Sequence, residues 1–326
     1  MLWLWILLGV IGLLLLILIV LFIIVNIVHN KLFNKRYTPL DIDSYTKEEF
    51  NLKYKKLEIN HNGKYIRGYF YYYDNYDENK LIIFSHGMDS SKESYLQEIA
   101  YIAKNGFMVL GFDYFGTNES DGLLKDFGNS LYSLNVVMNY LKSNDEYKSK
   151  DIYVIGHSWG GYAALNIVNL HKDIKGIVAL APAVSFKRTL RDSYIKQNIL
   201  ITSMMMLVEK LKFGKYSLYD GKDSINNYDG RVMVIQSKND NVLPYRSSLE
   251  YIKNNTKKDI EYIILEDRYH NPDYTKSAVD KLNNFYNEMR NYKGNDIKEL
   301  FSKQDFRAMG ELDPIVMDKI INFLKR

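Results

Sequence analysis

The stretch Val154-Ile155-Gly156-His157-Ser158-Trp159-Gly160-Gly161 decides how this chain is read. A strand pattern from Asp151 to Ile155 runs into the spacing G-x-S-x-G. Small residues then open a helix from Gly160 (Gly161, Tyr162, Ala163, Ala164, Leu165). This is the sequence form of a sharp strand-to-helix turn that lifts a serine clear of the backbone. Glycines are needed where a Cβ would collide across so tight a turn. The hydroxyl then stands beside a helix N-terminus, where backbone N–H groups can face a developing negative charge. Plain Gly/Ser turns match the same spacing by chance, so the strand before and the helix after carry the weight.

Outward from this turn, strands and helices alternate. Strands are predicted at Leu81–Phe84, Met108–Phe112, Ile152–Ile155, Ile177–Leu180, Val232–Ile235 and Tyr262–Leu265. Helices are predicted at Tyr95–Lys104, Leu131–Leu141 and Gly160–Leu170, the second from apolar residues at helical spacing. A hairpin precedes them: Lys53–Ile59 and Tyr65–Tyr73 flank Asn62-Gly63, a pair suited to positive φ. Asp313-Pro314 opens a last helix with an N-cap acid and a first-turn proline, and Val316, Ile320, Phe323 and Leu324 form its apolar stripe. The alternation predicts an α/β fold: a mostly parallel sheet with helices on both faces and its site at the carboxyl ends of the strands.

One stretch breaks the pattern. Between about residues 184 and 229 no strand is evident, and Tyr194–Leu211 reads as helical with Met204, Met205 and Met206 in a row. A short helical cap insertion is expected here. Its methionines suit either a loosely selective apolar pocket or ordinary core packing.

The N-terminus differs in kind. From Leu2 to Val28 nearly every residue is apolar, and no charged side chain precedes Lys31. A helix of that length spans roughly 40 Å, against a hydrocarbon core of about 30 Å. A cleaved signal peptide would carry a positive start, a shorter apolar core and a small-residue cleavage site, and none is present. Residues 1–30 are therefore read as a single-pass transmembrane anchor, 31–51 with Pro39 as a polar linker, and 52–326 as the main domain. Lys31, Lys35 and Arg36 follow the span, which puts the body on the cytoplasmic side by the positive-inside rule.

Composition narrows the chemistry. The chain has 326 residues, enough for one large domain or two small ones. Its net charge of +4 is spread along the sequence, which argues against a nucleic-acid partner. With no cysteine, disulfides, thiolate nucleophiles and cysteine metal sites are excluded. No metal or cofactor is expected.

A serine hydroxyl needs a general base, and histidine is the usual one. Six histidines are present. His29 ends the apolar span, His61 lies in the hairpin, His171 is carried away by the helix after the serine, His86 ends a strand, and His157 points elsewhere on the turn. That leaves His270, just after the last strand, in Asp267-Arg268-Tyr269-His270-Asn271-Pro272. An acid must hold the imidazole. Asp240, after the strand Val232–Ile235, is favoured over Asp267, whose short separation from His270 makes reaching back awkward. Two N–H donors should face the oxyanion: Trp159, directly after the serine, and Met88, in the loop Ser85-His86-Gly87-Met88-Asp89.

With these pieces assembled, the chain resembles the α/β-hydrolase superfamily over about residues 52–326. The resemblance is carried, in order, by Ser85-His86-Gly87-Met88, Gly156-His157-Ser158-Trp159-Gly160-Gly161, Asp240 with Val242 and Pro244, and His270. The run Phe112-Asp113-Tyr114-Phe115-Gly116 through Ser120-Asp121-Gly122 looks like the family's loop after the next strand, which shapes the site without catalysing. Within the superfamily the chain looks most like the branch of monoacylglycerol lipases and serine aminopeptidases. It departs in a longer segment after His270 and in a cap short for a large lipase lid. The resemblance implies a serine hydrolase acting through an acyl-enzyme on a small-molecule or lipid ester, without a cofactor. A peptidase or amidase with the same residues, or a non-catalytic binding protein on this fold, are the alternatives. A haloalkane-dehalogenase reading fails, since the turn carries Ser rather than Asp.

Overall fold

Strands buried on both faces are continuous apolar runs, and such runs pair in parallel beneath helices. The computed structural model describes all residues except 39–44, 195–197, 293–298 and 302. One sheet contains β1 (Lys53–His61), β2 (Lys64–Tyr72), β3 (Lys80–Ser85), β4 (Met108–Phe112), β5 (Asp151–His157), β6 (Gly176–Leu180), β7 (Arg231–Ser237) and β8 (Glu261–Leu265). Their spatial order is β1-β2-β4-β3-β5-β6-β7-β8. β1 and β2 pair antiparallel, as do β2 and β4, and every other pairing is parallel. The hairpin turn is as expected, with Asn62 at φ 52° and Gly63 at φ 77°. This order places the site. The chain steps outward from β3 to β4, then returns past β3 to β5. A crevice opens at such a reversal, so the loops after β3 and β5 lie side by side above the sheet.

The helices are α1 (Leu2–Phe33), α2 (Leu96–Lys104), α3 (Asn129–Ser143), α4 (Trp159–Asn166), α5 (Phe186–Thr189), α6 (Ile199–Phe213), α7 (Gly221–Asn226), α8 (Leu249–Asn255), α9 (Lys276–Met289), α10 (Phe306–Met309) and α11 (Pro314–Lys325). Alternate strand residues feed opposite cores. Leu81, Ile83, Ile152 and Val154 join the apolar cluster of α3 and α4, while Ile82, Phe84, Tyr153 and Ile155 join that of α2 and α11. Asp313 caps α11 as its sequence predicts, accepting from the Ile315 N–H at 3.0 Å.

Several boundaries differ from the sequence reading. α4 ends at Asn166 and passes into a 3₁₀ turn, Ile167–Asn169, rather than running on to Leu170. The insertion between β6 and β7 holds α5, α6 and α7. α6 starts at Ile199 because the Asn198 side chain caps it, accepting from the Ile201 N–H at 3.0 Å, and Gly214 follows its last turn at φ 79°. Residues 195–197 of the expected helix lie outside the described residues, and Leu190–Tyr194 forms a separate wide turn. Met204 and Met205 point into the core, which resolves their two readings in favour of packing.

α1 runs on to Phe33 and buries Val25, His29 and Phe33, one residue per turn, against the body. Beyond it, the carbonyls of Phe33 and Lys35 accept from the Lys125 and Leu124 N–H groups at 2.8 and 2.9 Å, and Tyr37 bridges to Thr117. The start of the expected linker is thus docked on the body, while Pro39 lies outside the described residues. Residues 1–20 are exposed throughout. α1 is long and apolar enough to cross a membrane.

Candidate active site

β5 delivers Ser158 at φ 56° and ψ −112°, a conformation that few non-glycine residues adopt. Close packing holds it there. The Ser158 N–H donates to the Leu180 carbonyl at 2.9 Å, and its own carbonyl accepts from Ala183 at 3.0 Å. A Cβ at Gly156 would overlap the Gly160 carbonyl, and one at Gly160 would overlap the Ser85 carbonyl. At Gly161 it would come within 2.7 Å of Pro182 Cβ. The glycines flanking the serine are therefore fixed by backbone contact.

The structure brings Ser158, His270 and Asp240 together. His270 Nε2 lies 2.9 Å from Ser158 Oγ, and His270 Nδ1 lies 3.1 and 3.0 Å from the two Asp240 oxygens. Asp240 is buried. Its Oδ1 also accepts from the Val242 and Leu243 N–H groups at 2.9 Å each, and its Oδ2 from Gln236 Nε2 at 2.9 Å. Asp267 instead pairs with Arg268 and, at 3.6 Å, with Lys276.

The other histidines are engaged elsewhere. His29 Nε2 meets Glu209 at 2.8 Å, His61 meets the Tyr132 hydroxyl at 2.8 Å, and His171 meets Asn135 at 2.9 Å. His86 is buried and stacks on Tyr114, and desolvation pushes its pKa down to about 4. His157, directly before the serine, is buried as well. Desolvation, then the neighbouring His270, lowers it to about 3, so it is neutral.

The loop after β3 lies against the serine. A Cβ on Gly87 would sit 3.6 Å from Ser158 Cβ and 3.5 Å from His157 Nδ1. Among the described residues, neither the Met88 nor the Trp159 backbone N–H meets a hydrogen-bond acceptor. Trp159 directly follows the serine, and Met88 follows the glycine that meets it. The loop after β4 supports the loop after β3: Tyr114 Oη donates to the His86 carbonyl at 2.7 Å, and buried Lys92 pairs with Asp113 at 2.7 Å and Glu119 at 2.9 Å. Behind that loop, Glu98 and Asp273 lie buried against each other. Desolvation raises both carboxyls, Asp273 to about 6.

Sequence reasoning missed Gln236, Tyr95 and the contacts of His157. Gln236 had a readable signal, being a polar residue at the end of the apolar run Val232-Met233-Val234-Ile235. Tyr95 had none, because nothing in its neighbourhood points to the serine turn. Among the described residues, no cluster of three or more His, Cys, Asp or Glu is arranged to hold a metal.

Residues 77–227 match the family model described as serine aminopeptidase, S33. The Pyrococcus furiosus esterase Pf2001 superposes with a TM-score of 0.55 at 22% identity, covering 79% of this chain and 100% of that one. Est1E from Butyrivibrio proteoclasticus, in a structure with ferulic acid bound, gives 0.54 at 21% identity over 72% of this chain and 100% of its own. A dienelactone hydrolase from Anabaena variabilis gives 0.51 at 14% identity over 74% and 99%. At these identities the likeness is one of fold. No curated protein sequence matches the chain.

Proposed function

We propose that this chain, which has the fold of the α/β hydrolases, hydrolyses carboxylic esters at a membrane, with Ser158 as nucleophile, His270 as general base and Asp240 as the acid that orients the imidazole. One observation carries this reading: the run from Asp240 through His270 to Ser158, with links of 3.0 and 2.9 Å. As Ser158 Oγ attacks the ester carbonyl, His270 Nε2 takes its proton. Asp240 accepts from Nδ1–H and stabilises the imidazolium. The oxyanion turns toward the Met88 and Trp159 N–H groups, each worth roughly 3 kcal/mol. The imidazolium then protonates the leaving alkoxide. Water, deprotonated by His270, releases the acyl group from Ser158.

The apolar helix supports the membrane part of the reading. From Leu2 to Val20 it rises about 28 Å, close to a hydrocarbon core of about 30 Å. The packed turns from Val25 to Phe33 would hold the body at the surface. Lys31, Lys35 and Arg36 after the span favour the cytoplasmic side. A lipid-derived ester is the substrate that such an anchor would bring to Ser158.

A second reading, an amidase or aminopeptidase, is favoured by the description of the matching family model. A panel of nitrophenyl esters and monoacylglycerols of rising acyl length, beside aminoacyl anilides, separates the two in the detergent-solubilised full chain. Ester turnover that vanishes in Ser158→Ala is expected. Turnover of anilides alone selects the second reading, and turnover of neither class points to a binding protein.

A further inference from the structure

Three hydrogen bonds join the two sides of the crevice through the residue before the serine. The Gly87 N–H lies 3.1 Å from Tyr95 Oη, Tyr95 Oη lies 2.7 Å from His157 Nδ1, and His157 Nε2 lies 2.9 Å from the His270 carbonyl. Proton positions follow from the ends of this run. A carbonyl only accepts, so His157 Nε2 carries the hydrogen. A neutral imidazole then presents Nδ1 as an acceptor, so the Tyr95 hydroxyl donates to it. The Tyr95 oxygen is left to accept from Gly87. Every group is satisfied in one arrangement, and the Tyr95 and His157 side chains are buried, which shields the bond between them from water.

We propose that Tyr95 and His157 are positioning residues for the hydrolysis: together they set the Met88 N–H loop and the His270 backbone at fixed distances from Ser158. The proposal rests on the serine-hydrolase reading above. The loop after β3 and the loop after β8 are otherwise far apart in the chain, and both must be placed correctly at once. An oxyanion donor or a base displaced by about 1 Å costs on the order of 100-fold in rate. His157 is suited to the task because it stays neutral beside a histidine that becomes a cation during turnover. A protonated His157 would lose its acceptor for Tyr95 and repel the His270 imidazolium.

The test compares Tyr95→Phe, His157→Phe, their double variant and His157→Gln in the full chain, on a short soluble ester. Tyr95→Phe keeps the ring and removes the hydroxyl, while His157→Phe puts a larger ring in place of the imidazole and removes its hydrogen bonds. Glutamine keeps one acceptor and one donor at the end of the side chain. Each Phe variant should lose about 10- to 100-fold in kcat with KM within about twofold. The double variant should lose no more than the worse single, as for members of one chain of bonds. His157→Gln should recover most of kcat. If His157→Phe does not fold, Tyr95→Phe and His157→Gln carry the comparison. Unchanged kcat in folded Phe variants, multiplicative losses, or a loss confined to KM overturns the bridge. A wild type that turns over no ester, and whose Ser158 takes no fluorophosphonate, instead overturns the hydrolase reading on which the bridge rests.

Discussion

The serine turn and the cap are built in opposite ways. Around Ser158 the neighbours are fixed: backbone stands where the Cβ atoms of Gly156 and Gly160 would be, and each polar side-chain atom of Asp240 and His157 has a named partner. In the cap, α6 leaves Ile199, Leu200, Leu207 and Leu211 exposed, Ile199 by 72% and Leu211 by 67%. Only its inner face is anchored, by Met204, Met205, Val208 and the Glu209 pair with His29. The difference separates two tasks. One region fixes geometry, and the other presents an apolar surface that can change without disturbing it.

The largest effect should come from the rigid side. Asp240→Asn should lower kcat about 10⁴-fold, since the amide favours the wrong imidazole tautomer. Asp267→Asn should stay within about twofold, because Asp267 serves only Arg268 and Lys276 at the surface. Comparable losses in both would reassign the acid.

Next is the joint between α1 and α6. His29→Ala removes the side-chain partner of buried Glu209, and unfolding in denaturant should show a loss of about 3–5 kcal/mol. Glu209 Oε1 also accepts from the Phe127 N–H at 3.1 Å, and the Phe127 carbonyl accepts from Trp159 Nε1 at 2.7 Å. α1 is thereby tied to the serine turn itself. A stability loss below about 1 kcal/mol would show that α1 is only loosely seated.

A smaller effect is expected from Glu98 and Asp273. Their folded pKa values are raised, so the folded state holds more protons than the unfolded chain. Stability is then highest at low pH and falls as pH rises from about 4, the ordinary carboxyl value, through the folded Asp273 value of about 6. Glu98→Gln removes one titrating carboxyl from the pair and should recover stability at pH 8, with no gain at pH 4. A gain equal at both pH values would contradict the assignment. Smallest of all, Leu211→Lys should change stability by less than about 0.5 kcal/mol and leave soluble short esters unaffected. Its expected signature is slower turnover of long-chain esters in vesicles, and equal turnover would remove α6 from substrate choice.

Much of this was legible in the sequence because of local physics. The buried strands are contiguous apolar runs, the glycines mark a turn that excludes Cβ atoms, and His270 was reached by elimination among few histidines. What stayed hidden depends on partners distant in sequence. Tyr95 and His157 are 62 residues apart, and His29 and Glu209 are 180 apart. His29 closed an apolar run and so looked like the end of a span, although its ring is buried against α6. The docking of residues after Phe33 was equally invisible, since it rests on backbone groups and on Arg36 donating to the Ser120 and Asn118 carbonyls, partners more than 80 residues away.

The account turns on Ser158 being an activated nucleophile, and covalent labelling of the full chain by a fluorophosphonate tests this most directly. The predicted result is one adduct per chain, mapped by mass spectrometry to Ser158, absent in Ser158→Ala and much slower in a His270→Gln variant. A folded wild type that takes no adduct, or takes it at another residue, would contradict the account.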